Sequence, residues 1–349
     1  SDNLTNWDTE GTIHISVKAT GIEETAALSL ICPPIDGVEL ISGVGDICGF
    51  VHTDLTKGPE SMMMPSFTST TGLDYAELNP DYIVRVGNVD EEQYEKIKKA
   101  VAVSSDGGKT WDYVSPNIGY TVPPTGSESI AEGGSVAVSA DGSTFVWAPK
   151  DYRVVCYKNG GWSVIDNLPA NTNVCSDRVN PDVFYAYTDS TLYVSTDGGM
   201  TFTEKGKIDG APSSAKIKAV PGEEGHVWIP GSGAGLWYTT DGGTSFNKTD
   251  EITGSDVVGF GKAKDGADYL AVYAVCTIDG VNGVYRSDDM GENWIRINDF
   301  EHQYGSINYS ITGDLRVYGR VFVATNGRGV VYGDMVDETE KTIEADGNK

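Results

Sequence analysis

Ser104-Ser105-Asp106-Gly107-Gly108-Lys109-Thr110-Trp111 is the stretch whose reading decides the fold. The same form returns at Ser195-Thr196-Asp197-Gly198-Gly199-Met200-Thr201-Phe202 and at Thr239-Thr240-Asp241-Gly242-Gly243-Thr244-Ser245-Phe246. Ser287-Asp288-Asp289-Met290-Gly291-Glu292-Asn293-Trp294 is a looser copy, and Ser139-Ala140-Asp141-Gly142-Ser143 a degenerate one. The shared pattern is S/T-x-D-x-G-x-T/S-W/F. A motif that recurs this often in one chain marks a repeat architecture.

The composition of the motif, the Asp-box or BNR repeat, follows from its physics. The Asp carboxylate accepts bonds from the backbone N–H groups of its own turn, and Gly supplies the positive φ the turn needs. The hydroxyl adds a second local bond. The aromatic drops into the core as the next strand starts. Each copy therefore reads as a hairpin corner between two outer strands. A catalytic or metal-binding role for these Asp residues is the competing reading, but such groups do not normally recur at every repeat.

The rest of the chain supplies strands to join those corners. Short runs of β-formers bounded by turn residues include Ala27–Cys32, Val38–Val44, Gly49–His52, Tyr82–Val86, Thr144–Trp147, Val183–Tyr187, His226–Ile229, Tyr269–Cys276 and Val321–Ala324. They group into seven units. The box Asp residues are spaced roughly 35–56 residues apart, around the 40–50 residues of a four-stranded propeller blade. The expected fold is all-β, a seven-bladed β-propeller over residues 1–334. Its last unit shows three clear strands, so a strand from the N-terminal segment is expected to close the ring. Residues 90–99 are charged and read as a solvated loop, or as one or two helical turns. Residues 335–349 are acidic and poor in apolar groups, a tail or linker.

Composition narrows the partners. The chain has 349 residues, with Asp+Glu 51 against Lys+Arg 25 and a net charge of −26. Such a surface repels nucleic acid and anionic membranes, which excludes both as partners, and is compatible with a neutral polysaccharide. No apolar run reaches membrane-spanning length and no secretory signal is present. The start at Ser1 fits a processed or excised piece. The five cysteines (Cys32, Cys48, Cys156, Cys175, Cys276) show neither metal spacing nor a disulfide framework. They read as buried thiols, with one disulfide left open. The four histidines are far apart, so no metal site and no cofactor are expected. No G-x-S-x-G or P-loop is present.

Gly45-Asp46-Ile47-Cys48-Gly49-Phe50 lies outside every box. It sets a carboxylate among glycines between two apolar strands, where backbone and ligand can come close. An apolar pocket around Asp46 is expected, as a general acid needs.

This stretch, together with Gly21-Ile22-Glu23-Glu24-Thr25, Asp74-Tyr75-Ala76-Glu77, Val84-Arg85-Val86-Gly87 and Asn326-Gly327-Arg328-Gly329-Val330-Val331-Tyr332-Gly333-Asp334, resembles glycoside hydrolase family 74. Boxes alone are shared with sialidases and sortilin-type receptors; the ordered set of the other motifs is more specific. The resemblance implies xyloglucan-cleaving endoglucanases or reducing-end-specific cellobiohydrolases built of two facing propellers, with the glucan between them. It implies an inverting mechanism in which each propeller supplies one Asp. The acid of the C-terminal propeller lies in a G-D-I/V-G-G-F stretch, which places it at Asp46; Cys48 stands where Gly is usual and adds bulk beside it. Seven blades fill this chain, so the general base is expected on an N-terminal propeller that is its partner half, and the chain alone is expected to be inactive.

Sugar faces stack on aromatic rings and sugar hydroxyls bond polar side chains. Trp147, Tyr120, Phe67 and Trp7 are candidate platforms, with core packing as the competing reading for each. His52 and Arg153 are candidate hydroxyl partners. The alternatives to a secreted xyloglucan or β-glucan hydrolase are a non-catalytic carbohydrate-binding or interaction propeller and, last, a sialidase-like enzyme. The last needs an arginine triad, and the chain has no such motif.

Overall fold

The computed structural model describes residues 25–89, 100–114, 131–307 and 309–335. Within them seven antiparallel sheets follow one another along the chain, each a simple meander. Blade one holds β1 (Ala27–Ile31), β2 (Leu40–Val44) and β3 (Gly49–His52). Blade two holds β4 (Ser69–Ala76), β5 (Asn79–Asn88), β6 (Val101–Ser104) and β7 (Asp112–Tyr113). Blade three holds β8 (Ser135–Val138), β9 (Thr144–Ala148), β10 (Val155–Lys158) and β11 (Gly161–Val164). Blade four holds β12 (Asn173–Ser176), β13 (Phe184–Thr188), β14 (Thr191–Ser195) and β15 (Thr203–Lys207). Blade five holds β16 (Lys218–Ala219), β17 (Val227–Pro230), β18 (Leu236–Thr239) and β19 (Asn247–Lys248). Blade six holds β20 (Ile252–Gly261), β21 (Ala271–Ile278), β22 (Val281–Ser287) and β23 (Ile295–Arg296). Blade seven holds β24 (Ile311–Gly313), β25 (Val321–Ala324) and β26 (Val330–Gly333).

The first strand of each blade is innermost. β1 touches β4, β4 touches β8, β8 touches β12, and β24 touches β1, so the sheets close a ring. This is the seven-bladed propeller. Burial follows the radius. The second strands are packed on both faces by neighbouring blades and read as unbroken apolar runs: Thr144–Ala148, Phe184–Thr188 and Val227–Pro230 are buried at every residue. The outermost strands meet water and read as polar, as in Thr203–Lys207. The apolar clusters are wedges between blades. One joins Val146 and Cys156 of blade three to Phe184, Ala186 and Phe202 of blade four.

Ring closure falls partly outside the described residues, since any strand before Thr25 does. Of what is described, Ala26 bridges Asn326 and Ala27 N–H donates to the Thr325 carbonyl. Residues 90–99, Trp7, Tyr120 and most of the acidic tail also lie outside the described residues.

The hydrogen bonds of the repeated turns are compatible with the Asp-box reading. Ser104 Oγ donates to Asp106 Oδ1 at 2.8 Å, Thr110 N–H to the same oxygen at 2.9 Å, and Thr110 Oγ1 to Oδ2 at 2.6 Å. The same bonds recur at Asp197, Asp241 and Asp289, with Asn293 Nδ2 replacing the last hydroxyl. Trp111 and Phe202 are buried; Phe246 and Trp294 are half-buried. The degenerate copy differs. Ser139–Ser143 joins β8 to β9, the first and second strands, where the other four join a third strand to a fourth. That displacement explains why the intervals on either side of Asp141 are unequal.

These carboxylates titrate low. The Ser245 hydroxyl, then its N–H and the Thr239 hydroxyl, hold Asp241 down to about 2. At Asp106, Asp141, Asp197 and Asp289 burial pushes upward, but bonds from the same kinds of donor win and lower the pKa. A carboxylate lowered by folding stabilises the fold above its ordinary pKa and loses that contribution as pH falls. Stability is therefore expected to decline as pH drops from about 4 towards 2. Urea unfolding measured across that range is expected to show a shallower decline for Asp241→Asn; an unchanged acid limb would contradict the assignment.

Candidate active site

In a meander blade the connections between second and third strands all emerge on one face of the ring. Those between first and second, and between third and fourth, emerge on the other. The Asp-box turns thus occupy one face. The β2–β3 turn that carries Asp46 occupies the opposite face, with the β9–β10 connection holding Arg153 and the β25–β26 turn Asn326–Gly329.

Asp46 is exposed, and Ile47 beside it is 42% exposed. Among the described residues none encloses the carboxylate in an apolar pocket, because a turn tip at the rim of a propeller has neighbours only beneath it. The turn itself is tightly held. Asp46 and Cys48 both take left-handed φ, 67° and 66°. Asp tolerates this better than most residues; Cys does not, and glycine would be at ease there. Asp46 N–H donates to Ser69 Oγ at 3.2 Å and Gly45 N–H to the Ala26 carbonyl at 2.9 Å. Two glycines permit the approach. A Cβ on Gly43 would lie 2.7 Å from the Thr70 carbonyl of the next blade, and one on Gly49 would collide with the Ser42 carbonyl. The close approach these glycines serve is to the protein's own backbone.

Cys48 sends its bulk inward. It is fully buried, and its sulfur accepts a hydrogen bond from Arg85 Nη1 and lies 3.7 Å from Thr70 Oγ1. Arg85 is itself fully buried on β5, with its guanidinium over the rings of Phe67 (4.5 Å) and Trp111 (4.7 Å). Burial lowers its pKa. Arg85 also donates to the Pro65 carbonyl, so one cation ties the Asp46 turn to the segment leading into blade two.

The Asp46 carboxylate differs from every box carboxylate in one respect. It takes no hydrogen bond or ion pair among the described residues, whereas the box carboxylates are saturated by their own turns. An exposed, uncommitted acid on an anchored turn is free to act on a ligand.

The other predicted site residues are scattered. Trp147 is fully buried, donates Nε1–H to the Gly133 carbonyl at 2.8 Å, and packs against Trp162. Phe67 is buried beneath Arg85. Neither ring faces solvent in this chain, because second strands and blade-to-blade wedges are where the propeller buries its aromatics. His52 ends β3, about 10 Å along the strand from the Asp46 turn, and its Nε2 pairs with Ser42 Oγ at 2.9 Å. Burial keeps its imidazole below the usual range. Arg153 shares the Asp46 face in an exposed pair with Asp166 at 3.0 Å. Tyr120 lies outside the described residues.

Two features escaped the sequence reading. Arg328 is exposed on the same face, one blade from Asp46; the Gly327 and Gly329 N–H groups of its turn bond the Thr25 carbonyl next to Ala26. The Asp74–Glu77 motif serves Arg178. That guanidinium donates to Asp74 Oδ1 (3.0 Å), Glu77 Oε2 (3.1 Å) and the Tyr75 carbonyl (2.8 Å). Only the fold brings residues 74 and 178 together. All five cysteines are free thiols, and four are buried. Among the described residues no group of three His, Cys, Asp or Glu side chains is placed to hold a metal ion.

No family model matches the chain. It is 49% identical over 336 residues to a xyloglucanase of Acetivibrio thermocellus, covering 95% of this chain and 38% of that protein. It is 32% identical over 366 residues to an oligoxyloglucan-reducing end-specific xyloglucanase of Emericella nidulans, covering 96% and 44%. Among solved structures it superimposes on the GH74 xyloglucanase from Xanthomonas campestris with a TM-score of 0.78 at 33% identity, over 90% of this chain and 44% of that one. The chain thus spans about two fifths of the length of these relatives.

Proposed function

We infer that the chain is a propeller portion of glycoside hydrolase family 74, as its 49% identity to a xyloglucanase over 95% of its length and its superposition on a GH74 structure support, and from that premise we propose that it supplies the general acid for inverting hydrolysis of a xyloglucan backbone. Asp46 is the acid. It protonates the glycosidic oxygen of the leaving chain, while a base on a second, N-terminal propeller takes a proton from the attacking water. Inversion needs the two carboxyl groups about 6.5–9.5 Å apart, with water and sugar between them. The observation that carries this reading is the uncommitted, exposed Asp46 carboxylate on a turn fixed by bonds to two neighbouring segments. Relatives named as xyloglucanases, each about twice this length or more, support the substrate and the second half. Arg153 and Arg328, exposed on the same face, are candidate partners for sugar hydroxyls. A polymer of this size is met outside the cell, so we place the protein there.

The test is reconstitution. The chain is incubated with xyloglucan, with and without a matching N-terminal propeller, and new reducing ends are measured. Activity is expected only from the pair. Full activity of the isolated chain would overturn the division of the site. An inactive but xyloglucan-binding pair would favour a non-catalytic propeller.

A further inference from the structure

The seven innermost strands enclose a central channel of about 540 Å³. Its charge is opposite to that of the molecule. The chain carries twice as many Asp and Glu as Lys and Arg (51 against 25). Yet among the described residues the charged groups lining the channel are Lys150, Arg178, Lys216 and Lys218, against the single carboxylate of Asp74. Arg178 already neutralises Asp74 through an ion pair at 3.0 Å. The lysines are left over.

Lys216 and Lys218 are two residues apart where the chain enters β16, so they project to the same side, into the channel. Lys216 lies nearer the face that carries Asp46. Its Nζ donates to the Tyr309 carbonyl at 2.6 Å and sits 5.2 Å from the centre of the Tyr309 ring. That carbonyl is a neutral acceptor and leaves the charge unbalanced. Lys218 is half-buried, and its ammonium has no hydrogen bond or ion pair among the described residues. A partly desolvated ammonium whose nearby carboxylate, Asp74, is already paired with Arg178 gains from a further counter-charge.

We propose that the central channel is a binding site for a small oxyanion, a carboxylate or a phosphate, held between Lys216 and Lys218. Two ammonium groups two residues apart on the channel wall, Lys216 exposed and Lys218 half-buried, offer charge-assisted donors to one anion. The rest of the surface repels anions at long range, so the site takes a small ligand, and xyloglucan, which is neutral, is not that ligand. The titration of the two lysines agrees. Burial, then the nearby Lys218 charge, pushes Lys216 down to about 8. Burial lowers Lys218 too; Arg178 adds to this, while Asp74 and Cys175 oppose it. A bound anion would raise both.

Calorimetric titration of the full chain with inorganic phosphate and, separately, with acetate at low ionic strength tests this. One saturable site is expected, and the tighter of the two anions identifies the source. Lys218→Met is expected to weaken binding by roughly tenfold or more, the worth of one charge-assisted hydrogen bond. Lys57→Met, in an exposed pair with Asp54, serves as the control and should leave it unchanged. Affinity should also fall between about pH 7 and 9 as Lys216 loses its proton. If Lys218→Met does not fold, Lys216→Met carries the comparison. Absence of saturable binding for both anions, or binding indifferent to either lysine substitution, overturns the proposal.

Discussion

Asp46→Asn, assayed with a matching N-terminal propeller, is expected to lower xyloglucan hydrolysis by roughly 10²–10⁴-fold, the usual contribution of a positioned proton donor. The substitution isolates the chemistry. Asn fills the same volume and tolerates the left-handed φ of 67° that position 46 requires. The side chain is exposed and bonds nothing among the described residues, so stability should move by no more than about 0.5 kcal/mol. Binding of xyloglucan should persist, placing the loss in kcat. A substrate with an acidic phenol as leaving group needs little protonation and should show a much smaller loss. Wild-type rates on xyloglucan from the Asn variant would remove Asp46 from the mechanism.

The second large effect concerns stability. Arg178→Met is expected to destabilise the propeller by about 3–5 kcal/mol, the cost of breaking a buried ion pair from one side. Arg178 is 7% exposed. It follows the inner strand of blade four, yet its partners Asp74, Tyr75 and Glu77 belong to blade two, and Asp74 Oδ2 accepts from Val138 N–H of blade three. One cation therefore spans three blades at the end of the channel opposite Asp46. Burial disfavours its charge, but the two carboxylates overcome this and raise its pKa. Methionine restores the volume and leaves both carboxylates without their cation. Urea unfolding is the measurement, with Asp74→Asn alone and in combination. The double variant should cost less than the sum of the singles, since both remove one interaction. Additive losses would show that Arg178 and Asp74 act independently.

Repetition made the fold legible. The box turns are local: every bond that defines them joins residues two to four apart, so composition alone encodes them. Blade number followed from counting strands. One copy misled in detail, because Ser139–Ser143 has the box chemistry at a different corner of its blade, and local chemistry does not say which strands a turn connects. Trp147 and Phe67 looked suited to sugar stacking by residue type. Their burial is a property of the blades packed on either side, which no single segment reports.

The sequence by itself determined the turn chemistry and the seven-unit repeat, and singled out Asp46 as a candidate acid outside the boxes, since each depends on neighbours along the chain. Tertiary structure alone decided what surrounds those residues. It placed Asp46 on the face opposite the boxes, put a buried guanidinium under its turn, joined Arg178 to carboxylates a hundred positions earlier, and gathered lysines from an acidic chain into one channel. The reason is geometric. A propeller brings the first strand of every blade to a common axis, so groups far apart in sequence share one small space, and their electrostatics belong to the ring.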